Sequence, residues 1–215
     1  MITLTVFRLS SKIRILKPMV LPKSELYAQK CKIDGRIAVG SKYAQHDTDA
    51  DLILFVGYAD DSDLNYNAYA NFCLQHGSTG RPMVGYIIFN SAKIDISGQD
   101  LEFNLNITAH EFMHVLGFNL RLFPFFPKNS KNQEVLFKNS NGRYYLTGDR
   151  AVQEARDHFG CSSISMIPLE DEGVEGTQGN HLETTAFGYE VMTPSAKKGY
   201  MISWMSLGVL YDSGW

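Results

Sequence analysis

HEFMHVLGF, residues 110–118, places two histidines four residues apart, a glutamate directly after the first and a glycine three after the second. On a helix, residues four apart share one face, a turn above each other, so His110 and His114 offer two imidazoles to a single ion. Glu111 is offset from that line yet within reach of a water on the ion. The chemistry that zinc supplies in such a place is a water whose pKa falls to about 7 and a polarised carbonyl. A carboxylate positioned like Glu111 takes the water proton and hands it to a departing amine. The pattern fixes only three of five positions and arises by chance in chains that bind no metal. Its setting carries the rest: it lies within a segment that already reads as a helix, and Gly117 lets the chain turn sharply beneath a metal.

That segment spans 104–118, with apolar residues at Leu105, Phe112, Met113, Val115, Leu116 and Phe118, joined by Ala109. The pattern predicts a helix buried on all but one side and ended by Gly117. Upstream, LILFVG (52–57) is framed by Asp-rich turns and reads as a buried strand, with MVGYIIF (83–89) as a second, entered through the turn residues GSTGRP. Downstream of a polar stretch, DRAVQEARDHFG (149–160) predicts an amphipathic helix. Asp149 would cap it, Ala151, Val152, Ala155 and Phe159 would face inward, and Gly160 would stop it. PLEDEGVEGTQGNHLE (168–183) is Gly-rich and irregular, and SWMSLGVLYDSGW ends the chain in a short helix. Strands come early and helices late without βαβ alternation, so the expected fold class is α+β.

The 215 residues suit one domain, or one domain split into two lobes, and can bury a sizeable core. Charged residues at 20%, hydrophobic residues at 44% and a net charge of −3 leave no basic footprint for nucleic acid or anionic membrane. No apolar run reaches the roughly 18 residues that span a bilayer. The N-terminal stretch is interrupted by Arg8, Lys12, Arg14 and Lys17 and does not read as a signal peptide. The expectation is an intracellular form or one part of a longer precursor. Cys31, Cys73 and Cys161 are too few for a disulfide framework. They are read either as reduced thiols or as one bridged pair with a thiol left over.

A zinc site needs a third protein ligand, and the position three residues past Gly117 is Leu120. Three other residues come into question. His181 lies in the flexible loop GTQGNHLE, whose backbone freedom can aim a side chain at the ion. His158 sits at the edge of the apolar face of the 149–160 helix. Glu134, in a polar loop, would make a two-histidine, one-glutamate site. His46 and His76 are upstream, in loops read as solvated.

HEFMHVLGF followed by the late GNHLE and then EVMTP resembles the leishmanolysin family of metzincin proteases. The stretches AYANFC to GRPMVGYIIFN, ARDHFGCSSISMIPLEDEGVEGTQGNHLE and LGVLYDSGW are similar to family segments in the same order, so that the likeness covers roughly residues 27–215. The resemblance implies a zinc endopeptidase acting on extended protein or peptide substrates. It implies one zinc held by His110, His114 and His181, the last 67 residues after His114, with Glu111 as general base. Met192 in VMTP would form a methionine turn, a packed floor under the metal rather than a ligand.

The implied fold is zincin-like. Residues 1–118 would form an N-terminal lobe with a mixed twisted sheet and the active-site helix, and 119–215 a mostly irregular and helical C-terminal lobe carrying the third ligand. Substrate would lie extended in the cleft, paired with an edge strand for which MVGYIIF is the candidate. The family further implies secretion or a cell-surface location. Asn90 stands about where many members have a cysteine partner for Cys73. The sequon Asn106-Ile107-Thr108 opens the active-site helix and is expected to stay unused. A competing function is a non-catalytic binding or adhesion protein that keeps the scaffold and uses its cleft for docking.

Overall fold

A computed structural model of the chain describes residues 3–9, 32–33, 37–38 and 51–215, apart from 61, 64, 96, 174, 175 and 196. Cys31 and His46 lie outside the described residues. The fold is mixed α+β, with small sheets and four α-helices among the described residues. It divides into two compact units, Met1–Gln99 and Asp100–Trp215.

The first unit is built on a four-stranded sheet of β1 (Thr3–Leu9), β4 (Leu52–Ala59), β5 (Ala68–Gln75) and β6 (Pro82–Asn90), in the order β1-β4-β6-β5. A two-stranded pair, β2 (Lys32–Ile33) and β3 (Ile37–Ala38), stands apart from it. β4 and β6 run parallel, while β1 and β5 flank them antiparallel. The two central strands are buried along most of their length, with a core of Ile53, Phe55, Met83 and Val84 against which Cys73, Leu74 and Tyr86 pack. This corrects the expectation that MVGYIIF is an edge. A strand apolar on both faces needs neighbours on both sides, and β6 has β4 and β5. One of the two flanking strands is the half-polar AYANFCLQ of β5, bent by a register shift between Phe72 and Gln75. Arg81, at the mouth of the β5–β6 turn, pairs with Asp51 at 2.8 Å.

Cys73 on β5 is disulfide-bonded, whereas Cys161 is exposed and free, so the reading of one bridge with a thiol left over fits better than three reduced thiols. Asn90 is fully buried. Its amide donates to the Tyr66 carbonyl and its Oδ1 accepts from the Ala92 N–H, closing the turn after β6.

The second unit begins with α1 (Leu101–Leu116). Its early turns are amphipathic, with Leu101 and Leu105 exposed, and only its last turns are enclosed. Gly117 ends it at φ +152°, a conformation that favours glycine, and a Cβ there would meet the Trp215 ring at 2.9 Å. Beyond it, Phe118, Phe123, Phe126 and Trp215 form a chain of edge-to-face contacts with centroids 5.2–5.6 Å apart. This seats the C-terminus against the end of α1.

The polar stretch after α1 holds a hairpin of β7 (Leu136–Lys138) and β8 (Tyr144–Leu146), extended by β9 (Ile167–Pro168). The C-terminal half is therefore more regular than expected. Next come α2 (Asp149–Phe159), α3 (Thr184–Phe187) and α4 (Trp204–Asp212). α2 buries Ala151, Val152 and Ala155 as predicted, but Phe159 is 46% exposed at its last turn. Asp149 does not cap α2, because its carboxylate accepts from the N–H and hydroxyl of Ser130. The cap comes from α4: Asp212 accepts from the N–H groups of Arg150 and Ala151, both at 2.9 Å. Gly208 lets the helices close, since a Cβ there would stand 2.9 Å from the Ala151 Cα.

Candidate metal centre

His110 and His114 lie one turn apart on the enclosed end of α1, and His181 lies in the loop between β9 and α3. The three Nε2 atoms converge: His110 to His114 is 3.1 Å, and His181 is 3.2 Å from each. The Nδ1 atoms all point away, each onto a backbone carbonyl. His110 donates to Val191 at 2.6 Å, His114 to Phe118 at 2.8 Å and His181 to Thr177 at 3.0 Å. A carbonyl oxygen only accepts, so every Nδ1 carries its proton and every neutral Nε2 presents a lone pair. Three lone pairs thus face one point with no proton between them, an arrangement that repels itself unless a cation joins it. Nitrogens bound tetrahedrally to zinc at about 2.0–2.1 Å stand about 3.3–3.4 Å apart, close to the spacing seen here. The donor set fits zinc.

Burial and the neighbouring imidazoles keep the trio neutral. Desolvation, then the charge His181 would carry, hold His110 down to about 3 against the raising effect of the Val191 carbonyl. Burial first and the other two rings second depress His114, and burial depresses His181. Glu111 is 6% exposed and accepts no hydrogen bond among the described residues. Burial pushes its carboxyl up to about 8, a penalty on the anion that a nearby dication would relieve.

His158 is exposed, with its ring against Phe159, and exposed Glu134 pairs with Lys128 at 2.9 Å. Neither belongs to the cluster. His76 is engaged locally by Ser78 and Thr79.

The segment around Met192 braces two of the histidines. Val191 supplies the carbonyl for His110, and the Met192 carbonyl accepts from Leu182, the neighbour of His181, at 2.8 Å. Met192 itself is fully buried. Glu190 anchors the turn by accepting from the Ser206 hydroxyl at 2.5 Å and the Ser203 N–H at 3.2 Å. Leu120, where a nearby third ligand would have stood, instead docks the His181 loop. Its N–H donates to Asn180 Oδ1 at 2.9 Å, and its side chain fills the place that a Cβ on Gly179 would take. The sequence reading missed Glu190, Asn180 and the three carbonyl acceptors, which have no local signature.

The family model described as Leishmanolysin matches residues 24–215. A leishmanolysin-like peptidase of Caenorhabditis elegans is 28% identical over 225 residues, covering 86% of this chain and 33% of the relative. The leishmanolysin-like peptidase of Drosophila melanogaster is 25% identical over 226 residues, with 87% and 32% covered. A leishmanolysin of Leishmania amazonensis is 30% identical over 171 residues, with 78% and 27% covered. The chain spans a third or less of the length of these relatives. With the match running through the histidine cluster to the C-terminal tryptophan, the chain belongs to the leishmanolysin family.

Proposed function

We propose that this chain is the catalytic module of a zinc-dependent endopeptidase, with His110, His114 and His181 as the ligands of one ion and Glu111 as the general base. The observation that carries the reading is the convergence of three unprotonated Nε2 atoms with, one residue along the same helix, a buried carboxylate that accepts no hydrogen bond among the described residues. When bound, zinc supplies a water acidic enough to ionise near neutral pH and a Lewis acid for the scissile carbonyl.

The protein's own residues do the rest. The Nδ1 hydrogen bonds to Val191, Phe118 and Thr177 fix tautomer and ring orientation. Glu111 accepts a proton on its carboxylate and returns it to the leaving amine. Burial keeps competing water away from that carboxylate, and Met192 serves as packed floor to the site. In this reading residues 1–118 and 119–215 are the two lobes of one catalytic domain. The family implies a secreted or surface protein, and the disulfide at Cys73 suits an oxidising compartment. A docking or adhesion role without catalysis has less support, because a docking surface needs no carboxylate at Glu111.

The test is Glu111→Gln. Zinc stoichiometry should remain one per chain, while cleavage of a fluorogenic peptide library falls by about 10²–10⁴-fold. Stoichiometric zinc in the unaltered protein with no cleavage of any peptide or unfolded protein would refute the catalytic reading. Loss of tight zinc in His158→Ala or Glu134→Ala, but not His181→Ala, would refute the ligand set.

A further inference from the structure

Two of the histidines are fixed by a helix, but His181 is not. Its loop turns through Gly176 and Gly179 at φ +97° and +72°. One residue grips this loop at three points. The Glu170 N–H donates to the His181 carbonyl at 2.9 Å, and the Glu170 carbonyl accepts from the Gly179 N–H at 2.8 Å. Its side chain, 6% exposed, then reaches past His181, with Oε2 accepting from the Thr184 hydroxyl at 2.7 Å and the Thr184 N–H at 3.2 Å. Oε1 accepts from the Glu172 N–H at 3.2 Å. Burial works against the anion, but the hydrogen bonds from Thr184 and Glu172 outweigh it and hold the carboxyl below its usual range.

Glu170, Asp171 and Glu183 bring carboxylate oxygens within 4.8 Å of one another. Each is already engaged by the protein. Asp171 pairs with Arg143, and Glu183 caps α3 by accepting from the N–H and hydroxyl of Thr185. These oxygens serve protein donors rather than a common centre, so the cluster is not a second cation site.

We propose that Glu170 is the positioning residue for His181: its backbone and carboxylate clamp the loop on both sides of this imidazole. The proposal rests on reading the three histidines as metal ligands. Thr185 and Glu183 belong to the same network but touch neither Gly179 nor the His181 backbone, so Glu183 provides a control of equal charge.

The experiment measures zinc affinity of the full chain by competition with a chromogenic chelator, together with the Co²⁺ absorption spectrum and the melting temperature of metal-free protein. Glu170→Gln is expected to raise the zinc dissociation constant about 10–100-fold and to shift the Co²⁺ d–d bands. Glu183→Gln should leave both near the unaltered protein. Thr184→Val removes the hydroxyl donor while keeping the charge, so a smaller rise is expected, and it carries the test if Glu170→Gln does not fold. An unchanged dissociation constant in Glu170→Gln, or in Thr184→Val where that variant stands alone, overturns the proposal. So does an equal loss in Glu183→Gln. His181→Ala separates the two levels. If it keeps full zinc affinity, the ligand set has failed; if it loses zinc while Glu170→Gln keeps it, only the positioning role has failed.

Discussion

Protein freed of metal by a chelator should lose stability when the pH drops from 7 to 5, and His110 alone sets a calculable part of that loss. In the unfolded chain a histidine titrates near 6.5; in the fold His110 is held down to about 3 by desolvation, reinforced by His181. As pH falls through 6.5 the unfolded chain takes up a proton that the folded chain refuses, so the balance moves toward unfolding. Between pH 7 and pH 5 that difference is worth about 2 kcal/mol. His114 and His181, also depressed, act in the same direction. The measurement is urea unfolding of metal-free protein at both pH values, for the unaltered chain and for His110→Asn. Asparagine does not titrate and keeps a donor for the Val191 carbonyl. The pH-dependent loss should be about 2 kcal/mol smaller in His110→Asn. Equal losses in the two proteins would mean that His110 is protonated in the metal-free fold, and the picture of three neutral, converging imidazoles would fall.

Other expectations follow from the packing of the second unit. Asp212→Ala strips two N–H groups at the start of α2 of their acceptor and should cost about 1–2 kcal/mol in urea unfolding, while Asp212→Asn, which keeps an acceptor oxygen, should cost less. Gly208→Ala drives a methyl into the Ala151 backbone and should cost about 1–3 kcal/mol, read as a lower melting temperature. Expression in a glycosylating host should leave Asn106 unmodified by peptide mass mapping, because its Nδ2 is buried within α1. A glycan there would show that the first turns of α1 open.

The helix carrying His110 and His114 was legible because its geometry is local: a four-residue spacing dictates a shared face, and Gly117 sits where the chain must turn. The two central strands were legible for the same reason, as apolar runs between polar turns. What escaped depends on partners distant in sequence. Asp212 and Asp149 look alike on paper, but only the packing of α4 on α2 determines which one meets the free N–H groups. The MVGYIIF run announced a strand and could not announce its neighbours; AYANFCLQ, half polar and carrying a bulge, lay outside the usual strand pattern and became one of the two flanking strands. Residues 127–143 read as a polar stretch because each strand of the hairpin that begins there is only three residues long. The choice of His181 over His158 and Glu134 needed the family resemblance, since spacing alone left all three open.

The hydrogen bond from Leu120 to Asn180 joins residues 60 apart in the chain, directly beside the second and third histidines. It works as a clasp, turning the intervening chain into a closed detour whose two ends are fixed whatever happens along it. Doubling the length of such a detour costs only about 0.6 kcal/mol in closure entropy. The exposed turns within this detour, such as 128–134 and 139–143, are thus free to be lengthened while the histidines hold their places, provided the clasp and the buried contacts beside it survive.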